Sequence, residues 1–354
     1  MFERRAPEQH DTLPDIPEPA ENPLLLGHEA ARAMLVGAYR AGKLHHALLF
    51  TGRQGIGKAT LAFHLAHHLF SHPDHRIAPG EISRIDPRSQ AFRLVAQGAH
   101  PGLLHLTRPF VERDKKFKTV ITVDEIRRVS RFLSLTPPDG GYRIIIVDPA
   151  DDMNTSAANA LLKNLEEPPP RTLFVLIAHS LGRLLPTIRS RCQVFKLDPL
   201  SPDLLQDLLS SLGATLPDGA EERRLLVQRA AGSARDAILL TEFGGLEIEQ
   251  VVERILSQQR FDVTEAYKLA EAVTGRERHV QFSLFNRAIL DRVADAASNA
   301  AAVGAMARAQ RFASLWEEVA ETTRQTEIYN LDRKQHVTGM LDRLHGAMQK
   351  QAAG

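Results

Sequence analysis

Ala47-Leu-Leu-Phe50-Thr51-Gly52-Arg-Gln-Gly-Ile-Gly57-Lys58-Ala59-Thr60 is the stretch that decides the fold. Ala47–Phe50 reads as a short buried strand, the chain then turns glycine-rich, and a helix is expected from about Lys58 to Phe70. A G-x-x-x-x-G-K string between a strand and a helix wraps backbone N–H groups around phosphates, and the helix N-terminus adds positive potential. Gly52, Gly55, Gly57 and Lys58 are therefore candidate nucleotide-phosphate residues, the alternative being an ordinary glycine-rich turn. One position departs from the pattern. The residue after the lysine should carry a hydroxyl that ligates Mg²⁺, but here it is Ala59. Thr60 follows one residue later, turned about 100° away on a helix.

Working outward, Tyr142–Val147 and Thr172–Ala178 read as further apolar strands. Between them Ser156–Glu167 places Ala157, Ala160, Leu161 and Leu165 at helical spacing, and Pro168-Pro-Pro170 stops that helix. Such alternation implies βαβ units and a parallel sheet. Asp148, at the end of its strand, is placed to hold Mg²⁺ through water, and completes the nucleotide set with Ala59 and Thr60. The next position, where a carboxylate would activate the attacking water, is Pro149, which accepts no proton. Asp151 and Asp152 are expected at the start of the next helix, either serving the site or capping the helix.

After Ser201-Pro202 the strand signal disappears. Leu204–Leu212, Ala220–Ala231 and Ala234–Phe243 read as short helices, and the periodicity stays helical from about Phe261 onward. Leu284, Phe285, Ile289, Leu315, Trp316, Leu331, Met340 and Leu344 are the expected apolar positions there. The reading is an arm over 1–22, mobile on its prolines and acids, an α/β core over 23–199, a helical lid over 200–255 and an all-helical domain over 256–354.

Composition narrows the classes. The 354 residues are 43% hydrophobic and 25% charged, so the bulk of the chain is globular. Lys+Arg 44 against Asp+Glu 43 leaves a net charge of +1, which excludes a generally basic coat but not a local basic face. The single cysteine, Cys192, cannot close an internal disulfide and reads as a small buried hydrophobe in a reducing compartment. The first residues lack the apolar core of a secretory signal, and no segment reaches the roughly 20 apolar residues that span a bilayer. A cytoplasmic protein with no membrane partner is expected.

Three further strings line up in order: His46-Ala-Leu-Leu-Phe50, Asn159-Ala-Leu-Leu-Lys-Asn-Leu-Glu-Glu-Pro168 and Leu184-Leu-Pro-Thr-Ile-Arg-Ser190-Arg191-Cys192. Together they resemble the clamp-loader branch of the AAA+ ATPases, from about Asn22 to the end and most strongly over Asp148–Leu197. The resemblance implies a wedge-shaped AAA+ core, a three-helix lid and a helical collar that joins five subunits in an open ring. That ring, with gamma/tau and delta subunits as neighbours, loads a sliding clamp onto primed DNA in the replisome at the nucleoid. Ala59, Pro149 and the kept Ser-Arg-Cys point to the branch's non-hydrolysing subunit type. It would bind ATP or ADP with weak or absent Mg²⁺. By the same resemblance Arg191 is an arginine finger acting in trans on a neighbour's ATP, a role worth about 10³–10⁵ in rate in other NTPases.

Arg235, in Gly232-Ser-Ala-Arg235, resembles the second sensor of AAA+ lids, and the first-sensor position falls at His179 or Ser180 rather than Thr or Asn. The helix expected over Val123–Leu135 keeps Val123, Ile126, Val129 and Leu133 on one stripe and Arg127, Arg128 and Arg131 on another face. Those arginines either follow DNA phosphates or form a solvated face. Many members carry a four-cysteine zinc module after the phosphate-loop helix, whereas here 71–98 contains no cysteine. His64, His67 and His68, with His72 and His75 after them, lack the acid or cysteine that a zinc set needs, so no metal site is expected. Two other readings stay open: an active gamma/tau-like ATPase, and a non-replicative AAA+ scaffold.

Overall fold

In a computed structural model, residues 4–82, 84–135, 141–275, 278–329 and 331–349 are described. The apolar runs of the first half form parallel strands with both faces covered, which is why they read as continuous rather than alternating hydrophobes. These are β1 (Ala47–Thr51), β2 (Leu103–Leu106), β5 (Arg143–Val147), β6 (Thr172–Ala178) and β7 (Gln193–Lys196), in the order β2-β5-β6-β1-β7. A short antiparallel pair, β3 (Phe110–Val111) and β4 (Lys116–Phe117), stands apart.

Alternate residues of each strand face opposite layers. Leu48, Phe50, Ile144, Ile146, Val175 and Ile177 pack with α1 (Glu29–Arg40), α2 (Lys58–Ser71) and α3 (Gln90–Ala96). Leu49, Ile145, Val147, Phe174 and Leu176 pack with α4 (Val123–Ser134), α5 (Thr155–Glu166) and α6 (Pro186–Arg189). The expected phosphate-loop and Ser156–Glu167 helices are present as α2 and α5, and the Asn154 side chain caps α5 by accepting from the Ala157 N–H at 2.8 Å. β1 lies between β6 and β7, with Leu49 level with Leu176 and Val194, so the glycine-rich loop leaves the sheet beside the ends of β6 and β7, with β5 one strand beyond β6. This is the expected α/β core, a parallel sheet with helices on both faces.

Residues 4–22, expected from their composition to be mobile, are instead tied down. Arg4 pairs with Glu18 at 3.0 Å, and Glu21 accepts the backbone N–H groups of Arg5 and Ala6 at 2.9 and 3.2 Å. Ala6 and Leu13 are buried, and the 3₁₀ turn Pro19–Glu21 packs on α2 and α3. Carboxylates that composition counts as solvating here brace the segment.

The chain forms two compact units, Met1–Gly213 with Val227–Asp236, and Ala214–Leu226 with Ala237–Gly354. The expected lid over 200–255 is therefore not a unit of its own. α7 (Pro202–Ser211) belongs with the sheet, while α8 (Ala220–Ala230) and α9 (Ala234–Glu242) are each divided between the units. The 227–236 segment joins the core because Leu200 donates to the Gly232 carbonyl at 3.1 Å and Ala234 donates to the Gly55 carbonyl at 3.0 Å.

The second unit is all-helical, with α10 (Gly245–Ser257), α11 (Val263–Thr274), α12 (His279–Ala302), α13 (Met306–Ile328) and α14 (Arg333–Gln349). Leu284, Phe285, Ile289, Met340 and Leu344 are buried as expected. Trp316 and Leu331 are not, at 41% and 51% exposed; on α13 the buried positions are Phe312, Val319 and Thr326, and Trp316 falls at the edge of their stripe. His336 bridges this core, lying 2.8 Å from the Asn286 amide oxygen and 3.1 Å from the Thr326 hydroxyl.

Candidate functional site

The loop after β1 takes a backbone course that glycine permits, with positive φ at Gly52, Gly55 and Gly57. Gly55 has a second reason to be glycine. A Cβ there would stand 2.4 Å from the Ser233 hydroxyl and 2.5 Å from the Arg235 Cβ, so loop and 227–236 segment touch backbone to backbone. Arg53 adds an ion pair to Asp236 at 2.8 Å, and His28 donates from Nε2 to the Ile56 carbonyl at 2.7 Å. Lys58 is buried and turned back on the loop, its ammonium donating to the Gly52 and Arg53 carbonyls at 2.6 Å each. Burial lowers its pKa to about 8, against the pull of Asp148 and Asp151.

Asp148 follows β5 at the same edge of the sheet. The residue is only partly covered, but its carboxyl lies inside. That burial, reinforced by Asp11 and opposed by Lys58, raises its pKa to about 7. Ala59 packs against the apolar core and Thr60 is half-buried. The loop fits a phosphate group: glycines at its bends, a buried lysine within it, and Arg235 close by. It does not fit Mg²⁺ held in the usual way, since the hydroxyl ligand is an alanine methyl and burial disfavours the charged form of Asp148.

Asp151 and Asp152 do not cap α5, as they were expected to do if they left the site. Asp151 accepts the His179 and Ser180 backbone N–H groups at 3.1 and 3.2 Å, tying the end of β6 to the turn after β5. Asp152 pairs with Arg108 at 2.6 Å. His179 sits among Lys58, Asp151, Asp152 and Asp11, and burial lowers its pKa to about 4.

Residues 27–201 match the family described as DNA polymerase III, delta subunit. Over that segment the chain is similar to this family. DNA polymerase III subunit delta′ of Pseudomonas aeruginosa is 37% identical over 220 residues, covering 60% of this chain and 62% of that protein. Subunit delta′ of Escherichia coli is 35% identical over 166 residues, covering 47% and 46%. Subunit gamma of Buchnera aphidicola is 30% identical over 223 residues, covering 62% and 56%. The chain thus spans about half to three fifths of the length of these relatives.

Arg191 donates to the Glu166 carboxylate at 2.6 Å and to the Thr187 carbonyl at 2.9 Å. Cys192 beside it packs against the apolar layer of α4 and α5, and burial pushes its thiol up to about 12, far from a nucleophile. On α4, Ile126 and Val129 are buried as expected, while Arg127, Arg128 and Arg131 are exposed. Arg127 and Arg128 are each engaged one turn back, with Asp124 at 2.6 Å and Glu125 at 2.5 Å. His64, His67 and His68 are buried along α2, with His64 Nε2 3.0 Å from the Asn22 carbonyl. Among the described residues no helix is long and apolar enough to cross a membrane.

Sequence reasoning missed Asp11, Gln54 and Glu166. Asp11 accepts from the Gln54 amide at 3.2 Å and lies 3.6 Å from Arg235, a contact across 224 positions that no local pattern announces. Glu166 was in view inside the Asn159–Pro168 string, but nothing in that string pointed to Arg191.

Proposed function

We propose that this chain is the delta′-type subunit of a bacterial DNA polymerase III clamp loader. It would work with gamma/tau and delta subunits to place a sliding clamp on primed DNA. Its own loop takes ATP or ADP with little or no Mg²⁺ and does not turn it over. Arg191 is its catalytic contribution, supplied to the ATP of a neighbouring subunit, where a guanidinium stabilises charge on the transferring phosphoryl group. Arg235 reads the chain's own nucleotide, and Arg127, Arg128 and Arg131 follow DNA phosphates.

The observation that carries this reading is the pairing of a phosphate-type loop with Ala59 and Pro149, the two positions where turnover chemistry would require a hydroxyl and a carboxylate. The relatives named delta′ support the choice of subunit. The test is reconstitution. The purified chain, mixed with gamma/tau and delta subunits, should enter a five-subunit complex whose DNA-stimulated ATPase needs Arg191, while the chain alone shows no turnover. Failure to enter the complex overturns the assignment.

A further inference from the structure

Residues 4–21 lie ahead of the segment that matches the family, and they run to the glycine-rich loop. We propose that this segment is an autoinhibitory strap, which closes the nucleotide site by setting the Asp11 carboxylate on the groups an incoming phosphate would use. The proposal rests on reading the loop as a nucleotide site.

Asp11 engages both sides of that site. Its carboxylate accepts from Gln54, in the middle of the loop, and faces Arg235, while its carbonyl accepts from the Arg235 guanidinium. Burial pushes the carboxyl's pKa up, but Arg235, His10 and the Gln54 bond outweigh it and hold it below the ordinary value, so an anion is seated there. His10 is partly buried, 3.9 Å from the Asp11 carboxylate, in the field of the Arg108–Asp152 pair. Behind this contact the strap is anchored at points remote from the loop: Arg4 on Glu18 and on the Leu13 carbonyl, Glu21 on the Arg5 and Ala6 N–H groups, and buried Ala6 and Leu13.

An anionic phosphate cannot take Arg235 and Gln54 while Asp11 holds them, because two anions would then share one cation in a half-dry site. Nucleotide binding and strap seating therefore oppose each other. The apparent affinity is reduced by the fraction of chains whose strap is open, and by linkage nucleotide must loosen the strap in return.

The test uses the full chain. ATP and ADP are titrated against the wild type, Asp11→Ala and Glu21→Ala, each with and without Lys58→Ala, and amide hydrogen exchange is followed over residues 5–21. Glu21→Ala loosens the anchor without touching the loop, which separates strap release from the loss of a nearby negative charge. Expected are nucleotide affinities roughly tenfold tighter in both variants, as for a strap closed in about nine chains of ten. Binding should be lost with Lys58→Ala, and exchange over 9–13 should rise in the wild type on adding ATP. Equal affinities in all three chains, lost with Lys58→Ala and with no change in exchange, overturn the strap while leaving the loop a nucleotide site. If the variants show a released strap by exchange yet bind no nucleotide, the reading of the loop fails and the strap falls with it.

Discussion

Arg191 is held by Glu166: Nη2 donates to the carboxylate oxygen across 2.6 Å, on a surface where the two side chains are 36% and 49% exposed. The finger role proposed for Arg191 would require it to give up this carboxylate of its own chain, and a pair this open contributes about 0–1 kcal/mol.

Arg191→Ala should accordingly leave the melting temperature of the isolated chain nearly unchanged and still permit assembly. The DNA-stimulated ATPase of the reconstituted complex should fall, the affected site losing about 10³ in rate or roughly 4 kcal/mol of barrier stabilisation. Arg191→Lys should rescue poorly, because a point charge does not reproduce the planar fork. Unchanged ATPase and clamp loading in the alanine variant would remove the finger role.

The isolated chain should hydrolyse no ATP above background. Ala59 packs its methyl on the core where a hydroxyl would ligate Mg²⁺, and Pro149 carries no carboxylate to activate water. Steady-state phosphate release settles this, and turnover that disappears with Lys58→Ala would contradict it. Ala59→Thr with Pro149→Glu supplies both missing groups, so any gain of turnover should need the pair and not either change alone.

The sheet was legible because buried parallel strands are apolar without interruption, and β1, β5 and β6 are the longest such runs flanked by punctuation. β2 and β7 were not: Leu103–Leu106 carries His105, and Gln193–Lys196 has three of its four residues exposed, so neither stands out as a core strand. In the site, Gly52, Gly55, Gly57, Lys58 and Asp148 share local patterns and could be read in line. Asp11 could not, since its meaning depends on a fold that brings it to Arg235. Nor could the division of the helical lid, which follows from backbone bonds between Gly55, Leu200, Gly232 and Ala234 rather than from any break in helical periodicity.

Acid should destabilise the chain above the range of its ordinary carboxylates, with Asp148, raised to about 7, opposing the trend in part. Burial lowers His64, His68, His105 and His336 to about 4, so each is neutral when folded. Their ordinary value is about 6.5, so as pH falls the unfolded chain takes up protons first. The stability these residues contribute is present above about pH 6.5 and is lost progressively toward pH 4. Urea midpoints measured across that window should drop steadily, and a flat profile would mean the rings are hydrated. His67 offers a sharper control. Burial lowers its pKa too, and neither ring nitrogen has a hydrogen-bond partner among the described residues, so His67→Leu should be neutral or stabilising near pH 7 and should flatten the acid slope.

The junction of the loop with the 227–236 segment makes the last prediction, a comparison of two glycines. Gly55 (φ +78°) and Gly57 (φ +99°) both occupy backbone that side chains rarely adopt, so an alanine at either is strained by about 1–2 kcal/mol. Their surroundings differ. At Gly57 the nearest atom to an added Cβ is His28 Nε2 at 3.6 Å, an ordinary contact. At Gly55 the added Cβ meets the Ser233 hydroxyl at 2.4 Å and the Arg235 backbone nitrogen at 3.1 Å, and neither neighbour is free to give way. Ser233 is fully buried and caps α9 by accepting the Asp236 N–H at 3.1 Å, while Ala234 donates to the Gly55 carbonyl itself. Gly55→Ala must therefore push the segment off the loop, losing that hydrogen bond and a cap worth about 1 kcal/mol on top of the backbone strain. Gly55→Ala should cost about 2–4 kcal/mol in denaturant unfolding and Gly57→Ala about half that. Only the first should abolish the coupling between Arg53 and Asp236 in a double-mutant cycle, because only there does the segment leave. Equal costs at the two positions, with the coupling intact in both, would show that the loop and the segment are not packed as this geometry requires.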